Sequence, residues 1–168
     1  MNSVRGLKYL EMLTVSNQDY DAVTKTFIDY ISCNLLDLRY LDLSGCVWVI
    51  DSNLESICNL PKLQVVKINE LKVITGSGLG NFPNLKEFHC KSCDNLEDEH
   101  LIRLLRCSDK LEYLDITGCD KITNSVVNVA IEVTKNRKNN IAMEMFTFGT
   151  ATNLDEVDGG STLLYLFY

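Results

Sequence analysis

The sequence predicts an α/β solenoid of about six strand–helix repeats forming one curved parallel sheet, and three observations carry that expectation. A nine-residue phrase, L-x-x-L-x-L-x-x-C, occurs at residues 38–46 (LRYLDLSGC) and again at 111–119 (LEYLDITGC). Further copies at 85–93 (LKEFHCKSC), 63–71 (LQVVKINEL) and, more worn, from Leu10 (LEMLTVSNQ) set successive starts 28, 25, 22 and 26 residues apart. Within each copy the hydrophobic period then changes from two to a helical spacing. Self-similarity with a period of about 20–29 residues marks a leucine-rich-repeat solenoid. All 168 residues are expected to form one such domain, clearest over 38–134, with 1–37 and 135–168 as divergent terminal repeats.

Each element follows from the phrase. In Tyr40-Leu41-Asp42-Leu43-Ser44, alternation turns Leu41 and Leu43 to one face and Tyr40, Asp42 and Ser44 to the other, so the strand is half buried. The same parity in the next three copies predicts an inner column of Leu41, Val66, Phe88 and Leu114 beside one of Leu43, Ile68, Cys90 and Ile116. Counting from the cysteine, apolar residues recur at +3 (Val49, Ile74, Leu96, Ile122), +8 (Leu54, Leu79, Leu101, Val127) and +11 (Ile57, Phe82, Leu104, Ala130). The last two positions share a helical face. Asp51, Gly76, Asp98 and Asn124 at +5 start this second element, and Asp or Asn there is expected to cap a helix. In the third copy Gly76, Gly78, Gly80 and Pro83 crowd a 22-residue repeat, which predicts a turn in place of the helix.

The ends are less regular. A sixth copy is expected from Asn140, 29 residues after Leu111, with Met143 and Met145 as its second and third apolar positions and Phe148 at the cysteine position. The final run of Leu163, Leu164, Tyr165, Leu166, Phe167 and Tyr168 is too short to span a bilayer. It either caps the last repeat, pairs with its edge strand, or is the product of a misread gene end.

A net charge of -7 argues against nucleic acid, which needs a basic face. The local cations Lys135, Arg137 and Lys138 suit a helix end. There is no apolar run long enough for a membrane span and no readable signal peptide, so a cytoplasmic or nuclear location with reduced thiols is expected. The seven cysteines, an odd number, discourage a complete disulfide framework.

Cys90-x-x-Cys93, with His89 and His100 nearby, has the spacing of a zinc or redox motif. Repeat phase gives a structural account instead. Cys46, Cys93 and Cys119 end their phrases, Cys33, Cys58 and Cys107 fall at the return from helix to strand, and Cys90 replaces an inward leucine. No catalytic residue, cofactor or metal site is therefore expected. The run Glu97-Asp98-Glu99 reads as the first turn of a helix, and the Gly76–Gly80 stretch lacks the Lys-Ser/Thr of a phosphate loop. Trp48 is read as packing between neighbouring loops.

On LRYLDLSGC followed by VWVID, and LEYLDITGC followed by DKITN, the chain resembles the cysteine-containing leucine-rich repeats of F-box proteins. The resemblance implies a protein-interaction module that receives substrates for an SCF-type ubiquitin ligase, with transfer chemistry on other subunits. It also implies a Skp-type adaptor as partner, but only if an F-box lies upstream, since none is found here. The chain is then either part of a longer F-box protein or a stand-alone repeat scaffold; a cysteine- or zinc-dependent enzyme is the distant alternative. The expected site for a protein substrate is the concave ribbon of outward strand residues: Tyr40, Asp42, Lys67, Asn69, His89, Lys91, Tyr113 and Asp115.

Overall fold

A computed structural model describes residues 7–15, 25–157 and 159–168; the last three residues of the first phrase and Asp158 of the tail lie outside these. Seven strands form one sheet in sequence order, all parallel. They are β1 (Met12–Thr14), β2 (Tyr40–Asp42), β3 (Val65–Lys67), β4 (Glu87–His89), β5 (Tyr113–Asp115), β6 (Met143–Phe146) and β7 (Leu164–Phe167). The helices are α1 (Lys25–Asn34), α2 (Asp51–Ile57), α3 (Asp98–Cys107) and α4 (Asn124–Lys135). This is a leucine-rich-repeat solenoid, and the inner columns read from the phrase are its core. Leu41, Val66, Phe88 and Leu114, like Leu43, Ile68, Cys90 and Ile116, are fully buried, as are the +3 and +8 residues.

The third repeat has no helix between β3 and β4, as its glycines predict. Its loop occupies the helix layer between α2 and α3. Gly80 N–H donates to Cys58 Sγ (3.1 Å) from one side, while Arg103 of α3 donates to the carbonyls of Leu79 (2.9 Å) and Ser77 (2.7 Å) from the other.

Helices start at the +5 residue, but the caps differ from expectation. The N-cap residues are Ile50, Glu97 and Thr123, one position earlier, and of these Thr123 alone accepts with its side chain, from Ser125 N–H. The +5 side chains instead reach across to the next repeat. Asp51 accepts from Thr75 N (3.1 Å), Thr75 Oγ1 (2.9 Å) and Gly76 N (2.9 Å). Asp98 accepts from the Thr123 backbone N–H and hydroxyl, and Asn124 pairs with both backbone groups of Asn153. A carboxylate here satisfies donors in the neighbouring repeat, which explains the polar residue without a cap.

The cysteines ending the phrases have a second reason beyond size. Cys46 Sγ donates to Val15 O (3.1 Å), Cys93 Sγ to Ile68 O (3.1 Å) and Cys119 Sγ to Cys90 O (2.9 Å). Each thiol thus meets the carbonyl just past the strand of the preceding repeat, which a leucine would leave bare. The Cys90 thiol lies 3.5 Å from Asp115 O and is pushed up by its burial, while the neighbouring Cys119 sulfur, and burial after it, push the Cys93 thiol up. Among the described residues no group of three or more His, Cys, Asp or Glu is arranged to hold a metal ion. Core packing does not account for every cysteine, however: Cys33 and Cys107 are exposed. Under Ellman's reagent these two should react in the native protein and the other five only on unfolding. Fast reaction of Cys90 or Cys93 would contradict the packed thiol core.

The sixth copy is out of phase with the sequence reading by two residues. Met145, not Met143, pairs with Leu114, and buried Thr147 follows at the third apolar position. In the five copies from Leu38 on, the eighth phrase residue has a left-handed φ: Gly45, Glu70, Ser92, Gly118 and Gly149. Its N–H donates to the seventh residue of the next copy, so that Gly45, Glu70, Ser92 and Gly118 bond to Asn69, Lys91, Thr117 and Phe148. Phe148 is therefore a seventh-position residue, 71% exposed, and not the counterpart of the buried cysteines. The tail forms β7, in parallel register with β6. Lys135 ends α4, Glu97 is the N-cap of α3 with Asp98 and Glu99 in its first turn, and Trp48 is partly buried against the core.

Candidate protein-binding face

The open face of the sheet is built from the polar positions of each phrase. All eight sequence-predicted residues lie on it, but they divide into two kinds. Asp42 accepts from Ser44 N–H (2.9 Å) and Asp115 from Thr117 N–H (3.1 Å), each closing the turn after its own strand. Asn69 is held between repeats, donating to Ser44 Oγ (3.0 Å) and accepting from Lys91 N–H (2.9 Å). The Asp115 side chain is only 2% exposed, covered by Lys91 at 2.9 Å, so it offers almost no surface of its own. Lys91 is exposed and Tyr40, Lys67 and Tyr113 are half-buried, while only 13% of the His89 side chain meets solvent.

The tyrosines lean on the same carboxylates. Tyr40 hydroxyl donates to Asp42 (3.4 Å) and Tyr113 hydroxyl to Asp115 (3.3 Å). Burial and the Asp115 carboxylate push the Tyr113 phenol up to about 12. Lys67 Nζ sits 5.5 Å from the centre of the Tyr40 ring.

One feature of this face was missed by sequence reasoning. Rings run across four strands: His89 to Tyr113 at 4.7 Å between centroids, Tyr113 to Phe146 at 4.9 Å, and Phe146 to Phe167 at 4.5 Å. Beside them Phe148, Tyr165 and Tyr168 are 71%, 55% and 82% exposed. The alternation in Met143-Glu144-Met145-Phe146-Thr147-Phe148 and in Leu164-Tyr165-Leu166-Phe167 carries this signal. Assigning Phe148 to a buried position hid it.

Two carboxylates, Asp115 on this face and Asp51 on the helix side of the sheet, tie the fold to pH. Burial raises the Asp115 pKa, but the Thr117 hydrogen bonds and Lys91 outweigh it and leave the group below its ordinary value. Asp51 is likewise lowered, its burial outweighed by hydrogen bonds from Thr75, Gly76 and Gly78. A folded pKa below the unfolded one gives stability that is present above about pH 4 and lost as pH falls through the folded value. Urea midpoints should therefore drop between about pH 5 and about pH 3, and Asp51→Asn should lower the midpoint at neutral pH while flattening that acid limb. An unchanged acid limb in the variant would remove Asp51 from this account.

No protein-family model matches the chain. Among solved structures it is similar to a chain in the crystal structure of the yeast Rad7 and Elc1 complex, with a TM-score of 0.51 and 20% sequence identity. The match covers 82% of this chain and 43% of that one, so this chain spans less than half the length of its structural neighbour. The likeness is one of fold. Among the described residues no helix is long and apolar enough to cross a membrane.

Proposed function

We propose that this chain is a protein-interaction module, acting by binding and not by catalysis, whose open sheet face receives a protein substrate for an SCF-type ubiquitin ligase. The observation that carries the binding reading is the aromatic ladder from His89 to Phe167, flanked by exposed Phe148 and Tyr165 on an unroofed sheet. Solenoids use such extended faces, and exposed aromatic surface of this kind marks interaction sites. The ligase role is supported by the likeness of LRYLDLSGC and LEYLDITGC to F-box-type repeats. A Skp-type adaptor would be held by an F-box outside these repeats, and the setting would be cytoplasm or nucleus.

Two measurements test the two levels. A Tyr40→Ala/Tyr113→Ala chain should bind the protein substrate at least about tenfold more weakly while keeping its circular dichroism spectrum. Unchanged affinity would remove the face from recognition, and unfolding would show the tyrosines to be structural supports. The complete gene product should co-purify with a Skp-type adaptor; failure would sink the ligase role and leave a stand-alone repeat scaffold.

A further inference from the structure

We propose that the strand-start side of this face, around Tyr113, Glu144 and Tyr165, takes an arginine or lysine side chain from an extended segment of the protein partner. The inference rests on the protein-binding reading of the face and adds the chemistry of what binds there. Strand register places Glu87, Tyr113, Glu144 and Tyr165 side by side on β4, β5, β6 and β7. With Glu112 and Ala142 they line a cavity of about 300 Å³.

The charges around this cavity do not cancel. Glu112 is paired with Lys86 at 2.9 Å. Glu144 has no ion-pair partner among the described residues, and Glu87 reaches only His89 at 3.3 Å. Burial lowers the pKa of His89, so at neutral pH the imidazole leaves the Glu87 charge uncompensated. Three carboxylates thus share one ammonium. An acidic segment would be repelled here, and an apolar one would strip water from the carboxylates without replacing it.

The aromatic walls select a cation with a long stem. A guanidinium or ammonium within about 6 Å of a ring centre is drawn to the π face, while its methylenes lie along the ring. Tyr113 is held between the tilted rings of His89 and Phe146, so it offers its edge as a fixed apolar wall for the methylene stem. Tyr165 is open to solvent and supplies the π face for the cation, beside the fixed wall of Tyr113.

The test is an amide chemical-shift titration of the ¹⁵N-labelled chain with the probe peptide N-acetyl-Gly-Arg-Gly-Arg-Gly amide and its citrulline counterpart. The arginine peptide should shift amides of β5, β6 and β7 saturably. The citrulline peptide, and the arginine peptide on a Glu144→Gln chain, should bind about tenfold more weakly. Equal binding of the two peptides overturns the proposal. So do shifts scattered over the acidic surface that Glu144→Gln leaves unchanged. Loss of the protein partner in the double tyrosine variant, with no arginine binding to the native chain, keeps the face and overturns the cation site. Retained partner binding in that variant with arginine-selective shifts on β5–β7 does the reverse.

Discussion

Phe88→Ala is expected to cost about 3–5 kcal/mol, the loss found when a fully buried phenylalanine is truncated in a packed core. Phe88 is 0% exposed on β4, in register between Val66 and Leu114, and it shares with Phe82 the largest volume in the core. Domains retain only about 5–15 kcal/mol, so this is a large fraction of the whole. The position adds a qualitative effect. In a solenoid each repeat touches mainly its neighbours, and the helix layer beside Phe88 is already thinned to a loop. Urea denaturation followed by circular dichroism should show a lower midpoint and a transition that separates β1–β3 from β4–β7. Phe88→Leu should recover all but about 1.5 kcal/mol. A single transition at the native midpoint in the alanine variant would mean that the two halves are not coupled through this ring.

Most of the core was legible because repetition samples the same position several times. One leucine at the fourth phrase position says little, but Leu41, Val66, Phe88 and Leu114 together specify a buried column. Period two then hands the alternate residues to solvent. What escaped was whatever depends on the neighbouring repeat. Asp51 looks like a cap in its own segment, yet its partners Thr75 and Gly76 lie 24 and 25 residues away. Cys119 reads as a small apolar residue until its thiol meets Cys90 O.

The face was half legible for a similar reason. Tyr40 and Tyr113 stand out inside clear phrases, whereas Phe146 and Phe167 sit in copies too worn to align by leucines. The better phase marker there is conformational. A left-handed residue stands at the eighth position of each phrase from Leu38 on, and Gly149 continues the series of Gly45 and Gly118. Aligning on that glycine would have placed Phe148 in solvent and revealed the aromatic end of the sheet.

Gly78→Ala is expected to be nearly as damaging as Phe88→Ala, although it adds only one carbon. A Cβ at this position would stand 1.7 Å from the Asp51 carbonyl oxygen and 2.6 Å from its carbon. Both are backbone atoms in the first turn of α2, so no rotamer change relieves the overlap. The requirement is one of space, because Gly78, unlike Gly76, has no left-handed φ. The loop must lift from α2, breaking the contacts that Asp51 makes with Thr75 and Gly76 and that Cys58 makes with Gly78 and Gly80. Overpacking of a core costs about 1–3 kcal/mol, and a clash against fixed backbone belongs at the upper end. Gly80→Ala is the matched control: its Cβ would meet Cys58 Sγ at 3.4 Å, an ordinary contact. The expected outcome is a urea midpoint lowered in Gly78→Ala and little changed in Gly80→Ala. Cys58, protected in the native chain, should become reactive to Ellman's reagent in Gly78→Ala before global unfolding. If its protection and the midpoint both survive, the loop does not rest on α2, and the third repeat is held by Arg103 and the sheet alone.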